Sequence, residues 1–173
     1  LNNFATLSDQ SLLIKKLRFI KSDQEIEYVK KAAELADNAL KKAWELSHPG
    51  MDESKILSAM QAEILSGGGD YPGNEFIIGS GPDALLCRYF SGRRKLDEID
   101  QLTLEFAGVY RHYHSALMRT IPIGKAKQEH LELHEICLET LQACQKYLKH
   151  GNSFADVFEQ HRLTIDKTKY KSA

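Results

Sequence analysis

Apolar residues recur at steps of three and four from Ile26 through Val29, Ala33, Ala36 and Leu40 to Ala43. That is the period of a helix with one buried stripe. The run Ser22-Asp-Gln-Glu25 ahead of it has the S-x-x-E form of a capping box, in which each side chain accepts from the other residue's free backbone N–H. His48-Pro49-Gly50 ends this helix. A second helix is expected from Asp52 through Ile56, Leu57, Met60 and Ile64, closed by Gly67-Gly68-Gly69. The glycines follow a helix and lack a following Lys-Ser/Thr pair, so they read as a joint and not as a phosphate cradle. Both helices read as scaffold.

Past Tyr71 the pattern shortens. Phe76 to Gly79 reads as a short strand, Ser80-Gly-Pro-Asp83 as a turn, and residues 84–90 as an extended segment carrying Arg88 and Tyr89. From Gln101 to Thr120 the period is two, which predicts a β-hairpin. Alternation puts Leu102, Leu104 and Phe106 on one face of its first strand, and Thr103, Glu105 and Ala107 on the other. On the second strand His112, His114, Ala116 and Met118 share a face. Glu105 is a carboxylate in an otherwise uncharged strand. It either faces water at a half-exposed edge or is paired, because burying it alone is costly. Lys125–Lys149 reads as a long helix ended by Gly151, and Ser153 caps another through Phe154, Val157, Phe158 and His161. Helices, then strands, then helices predict an α+β fold with helices over one side of a sheet.

Composition adds bounds. The chain has 173 residues, 42% hydrophobic and 27% charged, with formal net charge −1. One domain with a substantial core is expected. A near-neutral balance argues against nucleic acid or an acidic membrane surface as partner. Arg93-Arg94 and the tail lysines 167, 169 and 171 read as solvated faces. Cys87, Cys137 and Cys144 are an odd count without C-x-x-C, which suggests free thiols of a cytoplasmic protein. Cys137 and Cys144, seven apart, are expected on one core-facing helix surface. No run is apolar enough to span a membrane.

The hairpin resembles the signature of the pita-bread family, which includes methionine and Xaa-Pro aminopeptidases, prolidase and creatinase. The metallopeptidases of that family read roughly D-x-G-x-x-Y-x-G-Y-x-S-D-x-T-R-T-x-x-x-G. In the same frame this chain has Glu105, Ala107, Tyr110, Tyr113, Ser115, Ala116, Met118, Arg119, Thr120 and Gly124. The family's first metal-binding Asp falls on Glu105 and its second on Ala116. An upstream segment resembling S-G-x-x-x-x-x-x-H-Y reads Ser80 to Tyr89 here, with Arg88 in place of the catalytic His. A dication needs several deprotonated ligands, so the resemblance implies a metal-free branch with no cofactor. Tyr71–Pro82, Leu86–Phe90, Leu104–Gly108 and Tyr113-His114 are similar to the ectoine hydrolase branch.

The resemblance implies a pita-bread fold, of which the chain holds the first half and the opening helices of the second. Residues 1–21 are then a connector from an absent N-terminal domain, and 22–173 a partial catalytic domain, homodimeric when complete and inactive alone. The implied activity is hydrolysis of a C–N bond in a small cyclic amidine or amide. Glu105 would be catalytic, pairing with an amidinium or attacking it. Arg88 would fork onto the carboxylate of a small zwitterionic substrate. His114, Ala116 and Met118 would approach the ring, with Tyr89 and Tyr113 either binding or packing. His112 and His114 read equally as surface or satisfied core histidines. A metallopeptidase of Xaa-Pro type and a non-catalytic binding module are the competing readings.

Overall fold

The computed structural model describes residues 8–85, 92 and 94–171. The chain divides into two units, Leu1–Gly124 and Lys125–Ala173. In the first unit, helices α1 (Ser11–Phe19), α2 (Asp23–Leu46) and α3 (Glu53–Ser66) precede strand β1 (Ile77–Ser80). A 3-10 turn, Gly81–Leu85, follows, and then strands β2 (Asp100–Tyr110) and β3 (Tyr113–Ile123). The sheet is antiparallel in the order β1-β2-β3.

The expected local signals are in place. Ser22 and Glu25 form the capping box at the start of α2. Asp52 caps α3 by accepting from Ser54 N–H at 2.9 Å. Residues 12–20, which could have formed a strand or a helix, are helical through Phe19.

The core lies between α2, α3 and one face of the sheet. Leu102, Leu104 and Phe106 point into it, as alternation required, and meet Leu35, Ile56 and Met60. On α2 the contact surface is small: Ala32, Ala36, Ala39 and Ala43 are fully buried. Opposite them is Gly108, where an added Cβ would lie 2.0 Å from the carbonyl oxygen of Ala32 and 2.5 Å from the amide nitrogen of Ala36. Backbone meets backbone there, so only glycine fits.

The hairpin closes in two residues. Tyr110 pairs with Tyr113, and Arg111 (φ 51°) and His112 (φ 66°) both lie in the left-handed region. Positive φ at both positions suits the right-handed twist of the flanking strands. His112 therefore sits in the turn, and strand alternation, which grouped it with His114, does not reach it. Asp70 supports the turn. Its Oδ2 accepts from His112 N–H at 3.0 Å and its own N–H donates to the Val109 carbonyl at 3.0 Å.

The second unit consists of helices α4 (Gln128–Tyr147) and α5 (Phe154–Ile165). Ser153 and Asp156 form a capping box at the start of α5. Cys137 is exposed, contrary to the core-facing expectation, and Cys144 is half-buried with Sγ 3.7 Å from the Val157 carbonyl. The two share a helix face, yet α5 covers it only near Cys144.

Gly108→Ala is expected to destabilise the fold by roughly 1–3 kcal/mol, since the added methyl has nowhere to go. His112→Gly is expected to stabilise it by roughly 1 kcal/mol by relieving a left-handed non-glycine residue. Denaturant unfolding of both variants checks the pair, and an unchanged midpoint for Gly108→Ala would contradict the close approach of α2.

Candidate active site

Residues directly opposite in an antiparallel pair share a face, with Cβ atoms roughly 5 Å apart. Glu105 pairs with Ile77 on one side and Met118 on the other. It is thus the middle of a three-strand row, on the central strand and on the face turned away from α2. Thr103 and Thr120 pair one step along on that face. Ala107 and Ala116 pair one step the other way, and Val109 and His114 beyond them. Glu105 is half-buried and has a polar partner. Met118 remains 62% exposed, so beside the carboxylate the β3 side of the row is uncovered.

Glu105, His114, Ala116 and Met118 are therefore brought to one face, as alternation implied. Arg88 and Tyr89 lie outside the described residues. Tyr113 is not on this face. Its hydroxyl donates to Glu25 Oε1 at 2.6 Å, and its ring lies 5.7 Å from that of Tyr28 on α2. It fastens the start of β3 to the start of α2. Arg119 donates to the Met118 carbonyl at 2.8 Å, a local backbone contact.

The hydrogen bonds of His114 fix its tautomer. Nδ1 lies 2.9 Å from the His112 carbonyl oxygen, which can only accept, so Nδ1 carries the proton. Nε2 then accepts from Gly73 N–H at 2.9 Å. Both ring nitrogens are engaged.

One group of buried polar residues was not foreseen. Glu53, in the first turn of α3, is 1% exposed. Its Oε1 accepts from Ser80 Oγ at 2.5 Å, and its Oε2 from Arg94 N–H at 3.1 Å. The Arg94 guanidinium in turn reaches Ser80 Oγ, the Asp97 carboxylate, and Asp100 Oδ2 at 2.9 Å. Burial raises the Asp100 pKa, but the backbone N–H groups of Asp97 and Gln101, with Arg94, outweigh it and hold the pKa below the usual value. Arg94, expected on a solvated face, is instead a structural cation. It locks residues 94–100 to β1 and α3. The available signal was the spacing of Asp97 and Asp100 after Arg94, which is compatible with a local ion cluster.

With this geometry in hand, comparison with known proteins places the chain. The family model described as Metallopeptidase family M24 matches residues 27–173. The chain belongs to the M24 family. It is 30% identical over 139 residues to the Xaa-Pro dipeptidase of Pyrococcus furiosus, covering 80% of this chain and 40% of that protein. It is 28% identical over 172 residues to the ectoine hydrolase of Halomonas elongata, covering 94% of this chain and 43% of that one. The solved prolidase from Pyrococcus furiosus superposes with a TM-score of 0.86 at 28% identity, over 92% of this chain and 48% of that one. The pita-bread fold expected from the hairpin is thus the fold observed, and the chain spans less than half the length of these relatives. The M24 family is hydrolytic, as the names of these relatives state. Among the described residues no helix is long and apolar enough to cross a membrane.

The M24 name implies a metal. Among the described residues, the Glu105 face offers one carboxylate and the Thr103 and Thr120 hydroxyls: both His114 nitrogens are engaged, and Ala116 has no donor atom. Among the described residues no three His, Cys, Asp or Glu side chains converge. These residues alone do not fit a metal centre.

The Tyr113 contact has a pH signature. The Tyr113 hydroxyl, followed by the Ser22 backbone and side chain, lowers the Glu25 pKa from 4.5 to about 2. A depressed carboxylate stabilises the fold fully above its unfolded value and loses that contribution as pH falls through the folded value. The contribution of Glu25 should therefore fade between about pH 4.5 and pH 2. In Tyr113→Phe the Glu25 pKa should rise and acid unfolding should begin at higher pH. Carbon-13 titration of the Glu25 carboxyl checks this, and an unchanged pKa in the variant would contradict it.

Proposed function

We propose that the protein carrying this chain hydrolyses a C–N bond in a small zwitterionic amidine, with ectoine as the substrate and Glu105 as the group that acts on it. The observation that carries the reading is the row Ile77–Glu105–Met118. It holds one carboxylate at the centre of a sheet face beside Ala116, where the family's second metal-binding Asp would fall. An amidinium carbon is already electrophilic and does not need the Lewis acid that a neutral peptide carbonyl needs. It needs a negative partner and a base.

Glu105 is suited to both. Its carboxylate pairs with the amidinium through charge-assisted hydrogen bonds. It accepts a proton from the attacking water as the water oxygen bonds to the amidinium carbon, and returns that proton to the ring nitrogen as the C–N bond breaks. The proton left on the new hydroxyl passes to the departing amine as the carbonyl forms, so the products are an amide and an ammonium. Ectoine plus water then gives the N-acetylated diaminobutyrate. Ala116 and the exposed Met118 leave space for the ring and its methyl, and Arg88 is assigned to the substrate carboxylate. The 28% identity to an ectoine hydrolase over 94% of the chain supports this substrate class. The chain is assigned the first half of the catalytic domain, with further site residues supplied by the second.

A second reading, cleavage of Xaa-Pro dipeptides with a metal, is favoured by the 30% identity to a dipeptidase. The two separate on metal dependence and substrate. Steady-state kinetics should give turnover of ectoine that survives chelation. Glu105→Gln, which keeps shape but loses charge and basicity, should slow it on the order of 100- to 10,000-fold. Arg88→Lys should raise KM more than it lowers kcat, because the charge stays while the fork is lost. Turnover of an Xaa-Pro dipeptide that requires stoichiometric manganese, cobalt or zinc would establish the second reading. Near-normal turnover by Glu105→Gln would remove Glu105 from the site.

A further inference from the structure

Between the end of α3 and the start of β1, residues 71–76 form neither helix nor strand, yet the stretch is held at three points. Asp70 is bonded to the hairpin end through Val109 and His112. Gly73 N–H donates to His114 Nε2 at 2.9 Å. Ile77 then pairs with Glu105. The chain thus runs from the hairpin tip along the sheet to the carboxylate, with Asn74, Glu75 and Phe76 between the last two anchors. The same stretch, with Leu57 and Gln61 of α3, lines a groove of about 620 Å³.

We infer that His114 is a positioning residue: through Nε2 it pins Gly73, and with it the backbone that leads into Ile77, the strand neighbour of Glu105. This rests on the reading of Glu105 as the acting group. Three observations argue for a pin over a direct substrate contact. Nδ1 is bonded to the His112 carbonyl within the same hairpin end, which fixes the ring and leaves the Nε2 lone pair aimed at Gly73. A Cβ on Gly73 would lie 3.4 Å from Nε2, so the backbone comes to the ring without an intervening side chain. The partners are 41 residues apart, so this one bond joins segments that are remote in sequence.

The test compares His114→Ala with His114→Gln, whose side-chain oxygen can accept from the same N–H. Amide exchange at Gly73 should quicken roughly tenfold in His114→Ala, the size of one lost hydrogen bond, and recover most of the way in His114→Gln. With ectoine, KM should rise in His114→Ala more than kcat falls, and His114→Gln should recover most of the KM. In the unaltered protein, nitrogen-15 shifts of the imidazole should report the Nδ1–H tautomer. Unchanged Gly73 exchange in His114→Ala, an Nε2–H tautomer, or no rescue by Gln would overturn the inference. The exchange and tautomer measurements need no substrate. If Glu105→Gln leaves turnover intact, the function fails while these still report on the pin.

Discussion

The close approach of α2 to β2 fixes everything that follows in the first unit. Gly108 has no side chain, and α2 presents only alanines there, so the two backbones come nearly into contact. With α2 seated so close, Leu102, Leu104 and Phe106 must point inward and fill the core with residues from α3 and β1. The period of two then leaves Thr103, Glu105 and Ala107 no choice but the other face. A shift of register by one would bury the carboxylate against the alanine stripe. The position of Glu105 is therefore a consequence of helix packing as much as of its own strand.

Fastenings at the edges of the sheet keep this arrangement in place. Glu25 serves twice, accepting from the Ser22 backbone to close the capping box and from Tyr113 to hold the start of β3. Glu53, Ser80, Arg94 and Asp100 form the corresponding fastening at the far end of β1 and β2. A buried carboxylate and a largely buried guanidinium are tolerated because each is bonded to several groups. Removing any one member would leave the others short of partners in a poorly solvated place.

Much of this was legible from residue order. The capping box and the two-faced β2 are local patterns with one structural solution, and the hairpin motif carried the fold. The buried stripe of α2 was only partly legible, since it runs through Ala32, Leu35, Ala36, Ala39 and Ala43 while the expected Ile26 is exposed. The features that escaped are those whose cause lies far away in the chain. Arg94 looks like a surface cation until β1 and α3 bring Ser80 and Glu53 to it. Arg111 and His112 carry no turn signature, because neither is Gly or Asn, and the turn is instead supported by Asp70. Cys137 has the spacing of a buried residue, but nothing in the periodicity says where α5 stops covering α4. At the site, sequence alternation grouped Glu105, His114, Ala116 and Met118 by face. It could not show that His114 has both nitrogens engaged, since its partner Gly73 precedes it by 41 residues.

The proposed chemistry rests on a carboxylate on a central strand with an alanine where the family's second metal-binding Asp would fall. The most direct measurement is a crystal structure of the protein carrying this chain with a slowly reacting cyclic amidine carboxylate. The ligand is expected between Ile77 and Met118, its N–C–N unit within hydrogen-bond distance of the Glu105 carboxylate and its ring over Ala116. A ligand bound elsewhere, or Glu105 coordinating a metal ion instead of facing the amidine, would contradict the account.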